Sequence, residues 1–294
     1  MTALGHFEQP LATTSSSAAD STVVVLLGTG TPVPDPRAAG PSTAIVVGKR
    51  LFIVDAGAGI ERRLSAANLS NGNFEAVFFT HLHSDHVLGY PDLIFTSWLF
   101  GRSTPLHVYG PPGIQSMTNH LIAAFAEDIE TRTTGYEQNT RTGYKVRARD
   151  VKPGVIYDSA GVRVTAFAVP HGTMKAYGYR FDTPTRSIVI SGDTRESDAV
   201  ARAATGVDVL VHEVVVVSEL RDRPGAFGGN IRRYMTSFHT PANKLGEIAA
   251  RANPKLLLLT HVVPTGVADS LVIAGIRSGG FKGRIAIGHD LERY

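Results

Sequence analysis

The chain of 294 residues contains no cysteine. This absence excludes a disulfide scaffold, a thiolate zinc ribbon, an iron–sulfur cluster and a cysteine nucleophile. Long apolar runs are missing too: the longest, such as residues 23–27 and 256–259, are far shorter than the roughly 18 residues of a membrane span. No charged region followed by an apolar one stands at the N-terminus. We therefore expect no membrane insertion, and a cytoplasmic location unless a signal peptide has already been removed.

The composition is that of an ordinary globular protein, with 43% hydrophobic and 19% charged residues. Arginine outnumbers lysine by 22 to 7 within a net charge of +3. Guanidinium groups match the geometry of phosphate and sulfate, so this bias favours an anionic substrate, although it could be a plain compositional preference. The arginines are scattered apart from pairs at 62–63 and 232–233. Nucleic acid is therefore not the favoured partner.

Strand-like and helix-like patterns alternate in both halves of the chain, which favours one domain of two similar layers over residues 22–294. Residues 1–21 predict a flexible lead. The polar stretch near 130–150 predicts an exposed arm or insertion, and we expect loops at 29–40, 90–102, 130–149 and 221–237 to shape substrate specificity. Residues 224–229 could form a lid or an ordinary connection. Strands are predicted at residues 23–27, 43–47, 51–54, 76–79, 106–109, 162–169, 177–181, 187–190, 207–211 and 256–259, and helices at 60–67, 114–129, 196–204, 241–252 and 267–279.

The most informative segment is residues 80–86, Thr-His-Leu-His-Ser-Asp-His, directly after a predicted strand. Imidazole nitrogen and carboxylate oxygen are zinc donors, and the spacing of His81 and His83 lets two rings converge on one ion. Asp85 and His86 can serve a second ion nearby. A solvated histidine-rich loop is the alternative interpretation.

Three further donors follow other apolar strands: His171, Asp193 and His261. Loops at one edge of a sheet are where a scaffold presents its site residues. Each donor alone would be typical of a structural role, but four such segments in one chain favour a metal site.

The H-x-H-x-D-H motif and the order of the later donors resemble the metallo-β-lactamase superfamily over residues 23–261. The resemblance implies an α/β fold, the αββα sandwich, in which two mixed β-sheets face each other with helices outside and a dinuclear site at one edge. By the same resemblance Asp55 supports the metal loop, although a turn former beside Gly57 is an alternative. The implied ligands are His81, His83 and His171 for the first ion, Asp85, His86 and His261 for the second, and Asp193 as a bridge.

Within the superfamily the chain is most similar to the ribonuclease Z and arylsulfatase-like branch. The likeness lies in Leu-Gly-Thr-Gly-Thr-Pro from residue 27, Tyr-Gly-Pro-Pro-Gly from residue 109, the pair His212-Glu213 and the triplet 239–241. Two features differ from ribonuclease Z. Only 22 positions separate His171 from Asp193, too few for the arm that grips transfer RNA, and residues 262–265 are Val-Val-Pro-Thr. Both departures weaken the interpretation as a transfer-RNA-processing enzyme.

We therefore expect a zinc-dependent hydrolase of small phosphodiester or aryl sulfate esters. Two zinc ions, or manganese or iron, would bind a bridging hydroxide by lowering the pKa of water from about 15.7 towards about 7. Asp85 would orient the hydroxide, and His239, supported by Glu213, would protonate the leaving group. The alternatives are a ribonuclease Z-like endonuclease, a lactone or other carboxylic ester hydrolase, and a redox iron site. Related proteins are often homodimers.

Overall fold

The computed structural model describes residues 21–69, 74–222 and 230–294, which form two facing β-sheets with helices on both outer faces. This confirms the predicted αββα sandwich. Residues 1–20 of the predicted lead (1–21) and the predicted lid (224–229) lie outside the described residues.

The first sheet has six strands in sequence order. Its first three strands pair antiparallel and the rest pair parallel. The strands are β1 (Thr22–Gly28), β2 (Ser42–Val47), β3 (Arg50–Val54), β4 (Phe74–Phe78), β5 (Leu106–Gly110) and β6 (Val146–Asp150).

The second sheet has seven strands, again in sequence order. It too begins antiparallel and becomes parallel from the fourth strand on. The strands are β7 (Gly154–Ser159), β8 (Val162–His171), β9 (Met174–Asp182), β10 (Ser187–Ile190), β11 (Val209–Val215), β12 (Leu256–Val263) and β13 (Arg284–Ile287).

The helices of the described residues cover the outer faces of the sheets. Helices α1, α3 and α4 pack on the first sheet, and α6, α8 and α9 pack on the second. None of the helices in the described ranges is both long and apolar enough to cross a bilayer. The helices are α1 (Ile60–Ala66), α2 (Ser84–Val87), α3 (Tyr90–Leu99), α4 (Ile114–Ala124), α5 (Ala126–Thr134), α6 (Asp198–Ala203), α7 (Ile231–Phe238), α8 (Ala242–Ala252) and α9 (Asp269–Ser278).

The apolar core forms three layers because successive side chains of a strand point to opposite faces. In β1, Val24 and Leu26 point inward and pack with Phe181 of the facing sheet. Val25 and Leu27 point outward and pack under the helices of the first sheet. A strand that is buried on both faces must be apolar along nearly its whole length. These strands could therefore be recognised in the sequence as apolar runs.

Residues 90–102 were expected to be a loop, and this was wrong. Tyr90–Leu99 forms helix α3, whose Leu93, Ile94 and Trp98 are buried against the first sheet. The segment is apolar on several faces, so its sequence lacks the clear polar side that marks a surface helix.

The polar stretch 130–149 is also more regular than the predicted arm. Helix α5 continues to Thr134, and β6 then pairs parallel with β5 as the edge of the first sheet. Only Val146 and Ala148 of β6 pack toward the core, while Arg147 and Arg149 are exposed. The predicted exposure of this stretch is correct. Strand β6 was not predicted because only two of its side chains are half-buried, which leaves a weak alternation of apolar and polar residues.

A cavity of about 650 Å³ lies between α1 and α3, and the carboxyl of Glu61 lies in its wall. Glu61 is only 9% exposed, and its Oε1 has no hydrogen-bond partner. Burial, with the nearby charge of Asp92, raises the pKa of Glu61 to about 7 against the opposing effect of Arg102. The group is therefore protonated over much of the acidic range in the folded chain.

This pKa predicts a pH-dependent stability. Between pH 4.5 and about 7 the folded chain keeps a proton on Glu61 that the unfolded chain releases. The free energy of unfolding should therefore fall as the pH rises through this window, by up to about 3 kcal/mol. Glu61→Gln keeps the shape and removes the titration, so it should be more stable than wild type at pH 8 and about equal at pH 4.

Urea unfolding at pH 4, 6 and 8 measures this difference. Glu127→Gln, a change at an exposed residue of α5, is the matched control. A Glu61→Gln variant that follows the wild-type stability at all three pH values would contradict the prediction.

Candidate metal centre

The loop after β4 carries four of the predicted donors. Residues 80–83 continue from the strand in an extended path, and α2 then begins at Ser84, so Asp85 and His86 lie in a helical turn. His81 and His86 are almost fully buried, whereas His83 is half-exposed. The change from extended to helical backbone sends the four side chains toward two different positions.

The first donor group consists of His81, His83 and His171. The Nδ1 of His83 lies 3.0 Å from the Nε2 of His81 and 3.0 Å from the Nε2 of His171. Three nitrogens that bind one zinc ion tetrahedrally at about 2.0–2.1 Å lie about 3.3 Å apart. This group therefore fits one metal ion.

The second donor group consists of Asp85, His86 and His261. The Oδ2 of Asp85 lies 3.3 Å from the Nε2 of His261 and 3.5 Å from the Nε2 of His86. The buried Nε2 of His86 has no hydrogen-bond partner among the described residues. A buried nitrogen without a partner is costly unless an ion or water satisfies it, so this group also fits a metal.

Asp193, 3% exposed, lies between the two groups. Its Oδ2 is 4.0 Å from the Nε2 of His81 in the first group and 3.6 Å from the Nε2 of His261 in the second. Its Oδ1 is 3.5 Å from the Nε2 of His86. One carboxylate thus faces both groups, which is the position of a bridging ligand.

Hydrogen bonds behind the rings fix which nitrogens face the ions. Asp55 accepts from the backbone N–H and the hydroxyl of Thr80, both at 2.8 Å, and its Oδ2 also lies 2.8 Å from the Nδ1 of His86. The Thr80 hydroxyl in turn lies 3.0 Å from the Nδ1 of His81. With protons on both Nδ1 atoms, the Nε2 lone pairs of His81 and His86 point to the metal positions.

His171 and His261 are held by backbone atoms. The Nδ1 of His171 donates to the carbonyl of Phe238 at 2.8 Å. His261 has a left-handed backbone, with φ of 47°, and its N–H donates to the carbonyl of Thr29 at 3.2 Å. A non-glycine residue in this region costs about 1–3 kcal/mol, so the surrounding structure must enforce it.

Asp290 supplies part of that enforcement by holding the loop that contains Thr29. Its Oδ1 accepts from the N–H and the hydroxyl of Thr29 at 2.9 Å, and its Oδ2 accepts from the N–H of Ala39 at 2.8 Å. The Nε of Arg63 lies 3.1 Å from the same carboxylate. The carboxylate of Asp290 therefore holds the loop between Thr29 and Ala39 at both of its ends.

The electrostatics of the first donor group favour ligands that are ready to bind, whereas in the second group the burial of His86 is outweighed by the carboxylates of Asp193 and Asp55, which raise the pKa of His86 well above its usual value. Burial lowers the pKa of His81, His83 and His171, so these imidazoles are neutral at pH 7. Burial alone would raise the pKa of Asp193, but the nearby His261 and His86 hold it well below its usual value. Neutral imidazole and ionised carboxylate are the forms that bind metals.

The two predicted proton-transfer residues lie beside the centre. The Nδ1 of His239 is 3.3 Å from the Oε2 of Glu213 and 3.9 Å from Asp193. Burial lowers the pKa of His239, but the carboxylates of Glu213 and Asp193 outweigh it and raise the pKa to about 9. Glu213 is fixed because its Oε1 accepts from the N–H of Thr240 at 2.8 Å.

The structure brings together every residue that the sequence placed in the site. The expectation that each donor follows its strand needs a correction, since His171 is the last residue of β8 and His261 lies within β12. Sequence reasoning missed the roles of Thr80 and Phe238. The position of each next to a predicted site residue, His81 and His239 respectively, was the only signal that could have found them.

Comparisons with known proteins agree with this geometry. Residues 50–262 match the family model described as a β-lactamase superfamily domain. Ribonuclease Z proteins of mycobacteria and Mycolicibacterium gilvum are 31–34% identical over 92% of this chain and 94–97% of theirs; the protein from Mycobacterium bovis is 32% identical over 275 residues.

Two solved structures share the fold. The metallo-β-lactamase fold protein YhfI from Bacillus subtilis superposes with a TM-score of 0.73 at 18% identity, covering 94% of this chain and 99% of its own. The short form of human tRNase Z superposes with a TM-score of 0.70 at 20% identity, covering 92% and 98%. The chain therefore belongs to the metallo-β-lactamase superfamily and is a metallohydrolase of that fold.

Proposed function

We propose that the protein is a dinuclear metal-dependent phosphodiesterase that cleaves RNA in the manner of ribonuclease Z. The observation that carries the proposal is the position of Asp193 within 4.0 Å of donors from both groups. Two ions held by a shared carboxylate form a clamp that suits in-line displacement at phosphorus.

Metal ions in these two groups would lower the pKa of water to give a nucleophile and would stabilise charge on the phosphoryl oxygens. Nitrogen-rich ligation suits zinc, and manganese or iron also fits mixed histidine and aspartate donors. The protein holds the ligands in place through Asp55 and Thr80. Asp85 would orient the attacking water, and His239 would donate a proton to the departing oxygen while Glu213 stabilised its charged form.

RNA is favoured over a small ester by the relatives named ribonuclease Z. Their alignments cover 94–97% of their own length, so these relatives carry no long segment that this chain lacks. The short distance in sequence between His171 and Asp193 therefore no longer argues against this activity. The main sequence-based expectation, a hydrolase of small esters, becomes the second candidate.

One feature of the site supports that second candidate. A groove of about 570 Å³ leads away from Asp85, and its walls include Val33, Leu88 and the prolines at positions 32, 34 and 36. Its size is within the range of small-molecule sites, and its apolar wall would suit an aryl leaving group. Aryl phosphodiesters or aryl sulfates would fit this groove.

The metal proposal predicts about two divalent ions per chain by mass-spectrometric metal analysis. Asp193→Ala and His83→Ala should lose both metal and activity. Asp55→Asn, which keeps a residue type tolerant of the left-handed backbone at φ of 61°, should weaken metal affinity by about 10- to 100-fold although no ligand changes.

Asp198→Ala is the control, because this aspartate is exposed at the start of α6, where it forms an ion pair with Arg251. Full activity in a metal-depleted variant, or normal metal content in Asp193→Ala, would refute the centre described above.

The substrate proposal predicts turnover of bis(4-nitrophenyl) phosphate and cleavage of a precursor transfer RNA with a single-stranded 3′ extension, both abolished in His83→Ala. Turnover of the phosphodiester without RNA cleavage would favour the small-ester candidate. Cleavage of 4-nitrophenyl sulfate alone would move the activity to sulfate esters, and cleavage of none of the three would direct attention to lactones and carboxylic esters.

The proton-donor role of His239 predicts an effect that depends on the leaving group. His239→Ala should retain its metal and slow RNA cleavage, whose leaving group is an alkoxide, by about 10²- to 10⁴-fold. Release of 4-nitrophenolate needs little proton transfer and should slow far less. Equal losses on both substrates in steady-state assays would eliminate the role, and Glu213→Gln should show the same selectivity in weaker form.

A further inference from the structure

Helix α7 lies directly against the first donor group. Its last residue, Phe238, accepts the hydrogen bond from His171, and the Phe238 ring packs edge-on against the His171 ring at a centroid distance of 5.2 Å. The carbonyl of Ser237 accepts from the N–H of Gly172 at 3.3 Å, in the turn that follows His171. A molecule bound at the centre would therefore meet α7 as one wall.

An aromatic side chain continues this wall outward. The rings of Tyr234 and Phe238, one helical turn apart, lie 4.8 Å apart at an angle of 35°. Tyr234 is 37% exposed, whereas the donor His171 is only 1% exposed. The rings of Phe238 and Tyr234 extend from the His83 and His171 rings to the surface of the molecule. An exposed aromatic ring can stack a nucleobase.

Two arginines precede Tyr234 on the same helix. Arg232 and Arg233 are exposed, and neither pairs with a carboxylate among the described residues. Arg232 donates to the carbonyl of Val217 at 2.8 Å, which holds its side chain without neutralising its charge. The nearby Glu219 already pairs with Arg221 at 3.7 Å. Asp222 accepts from the N–H of Ile231 at 3.3 Å at the start of α7, so one further carboxylate stands against the two guanidinium groups and a smaller positive charge remains.

A short length of helix separates the backbone positions of these charges from the residue that contacts the first donor group. Arg233 precedes Phe238 by five residues, which is about 7.5 Å along the axis. Asn230 caps the helix by accepting from the N–H of Arg233 at 2.9 Å, so the first turn is ordered. On an α-helix, positions five and six residues apart point to different faces, so Arg233 and Arg232 project away from the face of Phe238 and would bind phosphates of a strand that has already left the centre.

We propose that α7 is the strand-binding surface of the enzyme, on which Tyr234 stacks a base of single-stranded RNA and Arg232 and Arg233 bind its phosphates. This inference rests on the proposed function and names the part of the substrate that the chain recognises outside the metal centre. Proteins that bind single strands combine positive charge along the phosphate backbone with aromatic side chains that stack the bases. A small ester that fills only the centre has no use for them.

The test compares the holoenzyme with four variants: Tyr234→Ala, Tyr234→Phe, and the double variants Arg232→Ala/Arg233→Ala and Arg232→Lys/Arg233→Lys. The control is Arg147→Ala/Arg149→Ala, which removes two exposed arginines from edge strand β6. KM and kcat are measured for the precursor transfer RNA with its single-stranded 3′ extension and for bis(4-nitrophenyl) phosphate. The salt concentration is varied between 50 and 200 mM, and the melting temperature of each variant shows whether it is folded.

Tyr234→Ala should raise the KM for RNA by about 5- to 150-fold with a smaller effect on kcat. Tyr234→Phe should keep a KM close to that of wild type because the ring remains. The double arginine variant should reduce the slope of log(kcat/KM) against log[salt] by about 1.4, the value for two phosphate contacts to a single strand. In both cases kcat/KM for RNA relative to bis(4-nitrophenyl) phosphate should fall at least tenfold. Arg232→Lys/Arg233→Lys should recover most of the salt dependence.

If the α7 variants cleave RNA with the selectivity and salt slope of the β6 control, the strand-binding surface is wrong while the proposed function stands. If wild type cleaves bis(4-nitrophenyl) phosphate but not the RNA, both the RNA substrate and this surface are wrong. An unchanged KM in Tyr234→Ala, with a reduced salt slope in the arginine variant, would overturn base stacking on α7.

Discussion

The buried carboxylate of Asp55 is the interaction on which the centre depends. It receives the backbone N–H and hydroxyl of Thr80, and it faces the Nδ1 of His86. A buried charge is stable only when hydrogen bonds replace its lost water, so these partners must remain in place. Because Thr80 also contacts His81, the carboxylate orients one ring of each donor group and joins the end of β3 to the loop after β4.

The donors could be predicted from sequence because their chemistry is specific and each lies at or near the end of an apolar strand. His81, His171 and Asp193 come from three strands in two sheets, and the αββα arrangement brings their ends to one edge. The supporting contacts were not predictable in this way. A threonine beside a histidine is common, and only the fold shows that Thr80 reaches Asp55.

The missed elements have a different physical reason. Helix α3 is buried among other helices and a sheet, so its Leu93 and Trp98 do not alternate with a clear polar face. Strand β6 was missed for the opposite reason. Most of its side chains are exposed, and it is held in the sheet by its backbone pairing with β5. Sequence patterns report burial, and both elements are determined by tertiary contacts that a local pattern does not contain.

The hydrogen bonds from Thr29 and Ala39 to Asp290 have a consequence for biosynthesis. The residues that close the site against His261 come from both ends of the described chain, since β1 precedes Thr29 and Asp290 follows β13. A ribosome makes the H-x-H-x-D-H loop about 200 residues before it makes Asp290. The nascent chain therefore contains its first histidines long before His261 and Asp290 are made, so the second donor group is completed only late in synthesis.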